Sequence, residues 1–398
     1  MLSYSSAMHD LLYQHNPWWE NDLPLANLKP RDRYLAELKS YLHLKQIIVL
    51  TGLRRVGKTS LMKLIIAELI AHDHVDANHI FYVSLDDYAL QKVSIMDIVS
   101  EFRKLHKIPV DEKVYLFFDE VTAKADFHVQ LKNLYDAQNV KIFAASSSAT
   151  KIQDKKASLT GRAITLEIKP LDLEEYLAFN NIRIKKRDSQ LLKTYFLDYM
   201  KTGGLPENVI HPGRAYLMNL VDDIIQKDIT AFHGLKNHQI LRDYFTLLME
   251  RSGKQCSINK ISRILGISPD TAKRYLYYFE STYLIHLLPR WGKTNQKLLS
   301  AKKIYASDLG IKFLFVGNRD IGSYFENYVY ILLRSHKALY YLYEDALEID
   351  FYTQDKELIE VKFYGEMPQK QKNLFNSYPA KKRFLIDSVD KVALLEAI

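Results

Sequence analysis

Along the chain, short apolar runs of strand length alternate with stretches in which apolar side chains return every three or four residues. Residues 47–50 form the first such run. Leu61, Leu64, Ile65 and Leu69 then follow at helical spacing, and a shorter helix over 34–42, with Leu35, Leu38 and Leu42, precedes the run. Further buried-strand patterns lie at 79–87 and 114–121, both ending in acids, then at 141–145, ending in three serines, and at 164–168. Between them, 94–106 reads as helix. Strands that alternate with helices predict a parallel sheet covered on both faces, with any ligand at the carboxyl ends of the strands. From Pro170 the pattern turns helical to about residue 235, interrupted at 202–206. Asp172 and Glu175 have the spacing of a capping box at its start.

The second half changes twice. Residues 257–267 give a short helix ending at Gly266. Residues 268–279 start another, with Ser268 as cap and Pro269 in the first turn. This is a helix-turn-helix pattern, and the strand-like 284–288 makes it winged. In such a motif Thr271, Lys273 and Arg274 would face a major groove, unless the module docks a protein instead. The last hundred residues predict a helix at 322–333, which holds Glu326, and two strands at 347–352 and 357–362. Alternation turns Asp350 away from Ile349 and Phe351 and puts Glu360 and Lys362 on one face.

The chemistry concentrates in the turn after the first strand. Gly52, Leu53, Arg54, Arg55, Val56, Gly57, Lys58 and Thr59, followed by Ser60, fit G-x-x-x-x-G-K-[ST] between a strand and a helix. The glycines let backbone amides approach phosphate oxygens, and the helix start adds its positive end. Lys58 would reach the β- and γ-phosphates, and Thr59 would hold Mg²⁺. Asp119, at the end of the third apolar run, would support that Mg²⁺, and Glu120 would polarise the attacking water. Ser146–Ser148 either sense the γ-phosphate or cap the next segment. If the two late strands form a hairpin, Asp350, Glu360 and Lys362 meet. There they would act as carboxylates for Mg²⁺ or Mn²⁺ with a lysine beside them, or as a solvated ion pair.

Composition narrows the picture modestly. With 398 residues, two to four domains are expected. Net charge is +8 and the sequence pI about 9.0, compatible with nucleic acid or with nucleotide phosphates. Cys256 is the single cysteine, which excludes an intrachain disulfide and a Cys-rich zinc site and suits a reducing cytoplasm. Residues 1–19 carry Tyr, His and Trp where a signal peptide would be apolar. No run spans a bilayer, and Trp18 and Trp19 read as surface anchors.

The loop, the Asp119-Glu120 pair, the serine run, Gly161-Arg162, Pro170-Leu171, residues 203–207 and Lys227-Asp228-Ile229 together resemble AAA-type ATPases of the STAND/archaeal-ATPase branch. Residues 325–327, 348–351 and 359–362 resemble the C-terminal domain of many bacterial and archaeal ATPases of that group, which is similar to the PD-(D/E)XK nuclease fold. The resemblance implies ATP as the nucleotide and Arg162 as an arginine finger or sensor. It implies Asp350, Glu360 and Lys362 as a nuclease triad, with Glu326 as its helix acid and a further metal ligand. Val121-Thr122 departs from the Ile-Gln more usual after the acids. The expected architecture is α/β: an N-terminal segment (1–35), a P-loop NTPase parallel sheet (36–168), a helical lid (169–235), a winged helix (236–300) and a C-terminal α+β nuclease-like domain (301–398). The expected function is a cytoplasmic, Mg²⁺-dependent ATPase whose nucleotide state controls the later modules. The alternatives are a non-cleaving switch that binds DNA or a protein, and an ATP-gated nuclease. Expected partners are DNA, a protein or further copies of the chain, with no membrane.

Overall fold

In a computed structural model of the protein, the apolar runs of the first half become one parallel sheet of five strands in the order Ile80–Ser84, Val114–Asp119, Val140–Ala145, Ile47–Thr51, Ala163–Glu167. The structure describes residues 2–21, 28–148, 159–185, 188, 190–235, 237–334 and 338–397. The chain divides into two units, Met1–Lys169 and Pro170–Ile398. Among the described residues, no helix is long and apolar enough to cross a membrane.

In the first unit, α1 (Leu2–His15) and α2 (Asp32–Ser40) precede β1 (Ile47–Thr51), which leads through the glycine loop into α3 (Lys58–Ala71). Then come β2 (Ile80–Ser84), α4 (Ile95–His106), β3 (Val114–Asp119), α5 (Phe127–Ala137), β4 (Val140–Ala145) and β5 (Ala163–Glu167). Strands β1 and β4 are buried along their whole length, as a sheet covered on both faces requires. One face packs Val49, Phe81, Val83, Leu116 and Phe118 against Ile98, Phe102 and Leu131. On β3 and β4 themselves, Phe117 and Phe143 stack with centroids 4.9 Å apart.

Strand β2 is an edge, and an edge leaves backbone groups unpaired. The N-terminal segment covers it. The Asn16 side chain takes the N–H of Tyr82 at 2.6 Å and donates to its carbonyl at 2.9 Å. Both Trp18 and Trp19 donate their indole N–H to the carbonyl of Ile80. The tryptophans are therefore anchors, as their setting in the sequence suggested.

The second unit opens with α6 (Leu173–Phe179), whose Asp172/Glu175 capping box is present. The helices α7 (Leu191–Thr202), α8 (Pro206–Ile210) and α9 (Arg214–Asp223) follow, and α9 continues as a π-helix over Ile224–Ala231. Between α7 and α8 the chain crosses itself at Gly203-Gly204. A Cβ on Gly204 would sit 2.1 Å from the Leu171 carbonyl oxygen, and one on Gly203, whose φ is +76°, 2.2 Å from Asp308 Oδ1. Gly204→Ala should therefore cost about 3 kcal/mol of unfolding free energy, the upper end for overpacking against backbone. A urea titration checks this.

Helix α10 (His238–Glu250), strand β6 (Gln255–Cys256) and helices α11 (Ile258–Leu265) and α12 (Pro269–Ser281) come next. They are followed by β7 (Ile285–Leu288), α13 (Thr294–Leu299) and β8 (Lys302–Ala306). Strand β8 is the centre of a three-stranded sheet, antiparallel to both β6 and β7. The sheet thus runs past the boundary expected at residue 300, because its middle strand comes last in sequence. After α14 (Leu309–Val316) and α15 (Ile321–Leu333), a meander of β9 (Leu339–Glu344), β10 (Leu347–Thr353) and β11 (Glu357–Val361) leads through α16 (Gln369–Ser377) to β12 (Lys382–Ile386). Strand β12 lies parallel to β11.

Candidate functional site

The glycine loop joins β1 to α3 at the carboxyl end of the sheet. Its backbone turns through Gly52 at φ +134° and Gly57 at φ +96°, with Arg55 at φ +67° between them. A Cβ on Gly52 would come within 2.2 Å of the Ile168 carbonyl oxygen, so no other residue fits there. Leu53 and Val56 are buried and pin the loop to the unit. Arg54 and Ser60 are half-buried, and Arg55 is exposed. Helix α3 starts at Lys58, so its first-turn N–H groups and positive end face the loop. Lys58 is buried, and its ammonium donates to the carbonyls of Gly52 and Leu53 at 3.0 Å each.

Strand β4 separates β1 from β3 in the sheet, yet the Thr59 hydroxyl donates to the Asp119 carboxylate at the end of β3. A hydroxyl and a carboxylate oxygen side by side form a hard oxygen pair that fits Mg²⁺. Glu120, next in the chain, sits in the left-handed region at φ +45°, a conformation that costs a non-glycine residue of order 1 kcal/mol or more and recurs at functional sites. Burial raises its carboxyl above the ordinary range, against the pull of Lys58 and Arg54. The Ser147 hydroxyl lies 3.3 Å from Glu120 Oε2, and Ser146 is buried against Thr122, hydroxyl to hydroxyl at 2.9 Å. Of the serine run, Ser147 is thus the one that meets the acid. Thr122, where the sequence departs from the usual glutamine, braces Ser146.

Two residues of this neighbourhood carry no signal in the sequence. The Tyr82 phenol donates to Asp119 Oδ2 at 3.1 Å, and burial raises its pKa. Arg31 is buried, with its guanidinium on the Val56 carbonyl of the loop at 3.3 Å and on the Lys169 carbonyl at 2.8 Å. Neither stands near the loop in sequence. Arg162 is placed differently from the role suggested for it. It precedes β5, where its carbonyl accepts the N–H of Ile47 at the start of β1, and its guanidinium pairs with Asp136 at 3.0 and 3.2 Å. The loop leaves the other end of β1, five residues on, a span of roughly 16 Å. Arg162 therefore lies at the opposite end of β1 from the loop.

On α11 and α12, Lys260, Arg263, Lys273, Arg274 and Tyr277 are exposed. Thr271 is half-buried, and its hydroxyl is bonded to that of Ser268 at the helix start. It closes the cap, leaving Lys273 and Arg274 as the exposed pair.

The late strands do form a hairpin. Phe351 faces Ile359 across β10 and β11, which sets Asp350 opposite Glu360. The Asp350 N–H donates to Glu360 Oε2 at 3.2 Å, and the N–H of Val361 to Asp350 Oδ2 at 3.0 Å. Lys362 pairs with Glu360 Oε1 at 2.7 Å, an oxygen that also accepts from Gln371 at 2.7 Å. Burial, then Asp350, pushes the Glu360 carboxyl up to about 8 against Lys362. All four expected residues thus come together, because Glu326 reaches the same cluster from α15. The link is Lys303 of β8, which the sequence reading missed. Its fully buried ammonium lies 2.6 Å from Glu326, 2.8 Å from Glu348 and 3.4 Å from Asp350. Burial alone would lower this lysine, but Glu326, Tyr305 and Asp350 outweigh it and hold it well above its usual value. Glu326, Asp350 and Glu360 are the residues expected to hold a divalent cation. Among the described residues no three His, Cys, Asp or Glu side chains are grouped to hold one.

Several known proteins are similar to this chain. An uncharacterized protein of Methanocaldococcus jannaschii is 28% identical over 365 residues, 87% of this chain and 81% of its own length. An uncharacterized protein of Haemophilus influenzae is 25% identical over 356 residues, 85% of this chain and 87% of its own. Among solved structures, the chain is similar to the Aeropyrum pernix ORC1 protein in complex with DNA, at 10% identity and a TM-score of 0.33 over 76% of this chain and 97% of that one. It is also similar to AMPPCP-bound DnaA from Aquifex aeolicus, at 18% identity and a TM-score of 0.30 over 65% and 92%. Residues 193–320 match a domain of unknown function (DUF8612). Residues 44–177, which hold the complete loop motif and the five strands of the parallel sheet, match the family model of an AAA domain.

Proposed function

We propose that this protein is a Mg²⁺-dependent ATPase whose nucleotide state controls the modules of its second unit. The observation that carries the reading is the Thr59–Asp119 contact beside Lys58 and Glu120, at the start of α3. Loop amides and Lys58 would take the phosphates, and Thr59 and Asp119 would hold magnesium. When bound, magnesium supplies positive charge to the β- and γ-oxygens. Glu120 would accept the proton of a water attacking the γ-phosphorus as the bond to the β-γ bridging oxygen breaks, with Ser147 steadying that carboxylate. The test is ATP binding and phosphate release by the purified full chain with and without Mg²⁺. Absence of both would overturn the reading.

A second activity is favoured by one specific observation, the exposed basic set Lys260, Arg263, Lys273 and Arg274 on adjacent helices. A helix pair followed by the antiparallel β7–β8 pair supports a winged helix that binds duplex DNA through α12. Replacing Lys273 and Arg274 together by Ala should weaken DNA binding. It should also reduce the salt slope of log affinity by roughly 2, about one per lost phosphate contact. Fluorescence anisotropy at several salt concentrations checks this. Repeating it with ATP and with a non-hydrolysable analogue tests whether nucleotide state controls the module. The nuclease reading is the weaker one: convergence of Asp350, Glu360, Lys362 and Glu326 supports it, but Lys303 stands among their carboxylates.

A further inference from the structure

The geometry points to Lys303 as a built-in cation: its ammonium holds the position between Glu326 and Asp350 that a divalent metal would need, so this nuclease-like cluster takes no Mg²⁺ or Mn²⁺ and cuts no phosphodiester. The inference is independent of the ATPase reading, because every residue in it belongs to the second unit.

The placement follows from the sheet. Strand β8 is paired on both sides, with Lys303 opposite Gln255 of β6 and Leu288 of β7. Lys303 and Tyr305 lie two residues apart and so share a face. Both reach Glu326 Oε1, the ammonium at 2.6 Å and the phenol at 2.6 Å. An ammonium has three N–H groups, and Lys303 meets three carboxylates, those of Glu326, Glu348 and Asp350. The two shorter distances, 2.6 and 2.8 Å, are those of charge-assisted N–H···O bonds. Mg²⁺ instead demands oxygens at about 2.0–2.1 Å in octahedral array.

Most of the remaining oxygens are also engaged. Glu348 Oε2 accepts from Gln255 at 2.9 Å, Asp350 Oδ2 from the N–H of Val361 at 3.0 Å, and Glu360 Oε2 from the N–H of Asp350 at 3.2 Å. Glu360 Oε1 is shared by Lys362 and Gln371, each at 2.7 Å. A metal entering here would have to displace a fully buried ammonium and several of these donors. The cluster instead ties β8, the central strand of the β6-β8-β7 sheet, to α15 and β10.

The test is Mn²⁺ binding, followed by electron paramagnetic resonance on the nucleotide-free full chain, together with a plasmid-cleavage assay in Mn²⁺. Wild type and Asp350→Asn should bind the same number of Mn²⁺ ions, and neither should cut DNA. Lys303→Met removes the ammonium at similar volume and leaves the carboxylates without their cation. This variant should gain one Mn²⁺ per chain, at least tenfold tighter than any background binding, and lose it again when Asp350→Asn is added. Circular dichroism establishes that the variants are folded. The inference is overturned if wild type holds a Mn²⁺ that Asp350→Asn loses, or if folded Lys303→Met gains none. Should Lys303→Met not fold, the comparison of wild type with Asp350→Asn still decides: equal stoichiometry supports the built-in cation and a lost site overturns it.

Discussion

Glu120→Gln should lower ATP turnover about 10³-fold, within the range for loss of a positioned general base, while nucleotide affinity stays within a few-fold of wild type. The asymmetry follows from what Glu120 touches. It is next to Asp119, within reach of Ser147 and under the electrostatic influence of Lys58 and Arg54. Glutamine keeps the shape but cannot take a proton from water. The pH profile supplies a second readout. Burial raises the Glu120 carboxyl above the usual range, and a protonated carboxyl cannot act as base. The acid limb of turnover should therefore lie above the ordinary glutamate pKa and be absent from the residual activity of the variant. The same shift has a stability consequence: a carboxyl raised on folding contributes stability below its unfolded pKa and loses it as pH rises through the folded one. Phosphate-release rates over pH, paired with equilibrium nucleotide titrations, measure both. Unchanged turnover would remove Glu120 from the reaction.

Lys58→Ala should abolish turnover, by 10²-fold or more on the scale for losing one preorganised electrostatic contact, and should weaken triphosphate binding as well. Lys58 is the loop's buried cation, 5% exposed, held against the carbonyls of Gly52 and Leu53 at the first residue of α3. It needs only to swing from those two carbonyls to a phosphate, and alanine offers nothing in return. Loss of affinity together with turnover separates this variant from Glu120→Gln, which keeps binding. Isothermal titration with a non-hydrolysable ATP analogue distinguishes the two. Normal ATP hydrolysis by Lys58→Ala would refute the site.

The nucleotide loop was legible because its chemistry is local. Eight consecutive residues must wrap one phosphate group, so the backbone freedom of Gly52 and Gly57, the charge of Lys58 and the hydroxyl of Thr59 have to be neighbours in sequence. The Asp119-Glu120 pair was legible for a similar reason, since a buried strand that ends in two acids is unusual unless the acids are used. The late hairpin was half legible. Period-two alternation put Glu360 and Lys362 on one face, and the register of β10 with β11 then set Asp350 opposite Glu360.

By itself, then, the sequence determined the phosphate loop, the alternation of strand and helix that makes a parallel sheet, the helix pair at 258–281 and the carboxylates of the last hundred residues. Tertiary structure alone decided which distant side chains complete or occupy those places. It set Arg31 on the loop carbonyl and Tyr82 on Asp119, and it turned Arg162 to the far end of β1. It also put Lys303 among the carboxylates. The physical reason is that local pattern specifies which face of an element is apolar, whereas the partner of a buried charge is chosen by strand order and register between segments far apart in the chain. A lysine at the head of an apolar strand, here next to Lys302, looks the same whether it faces water or three carboxylates.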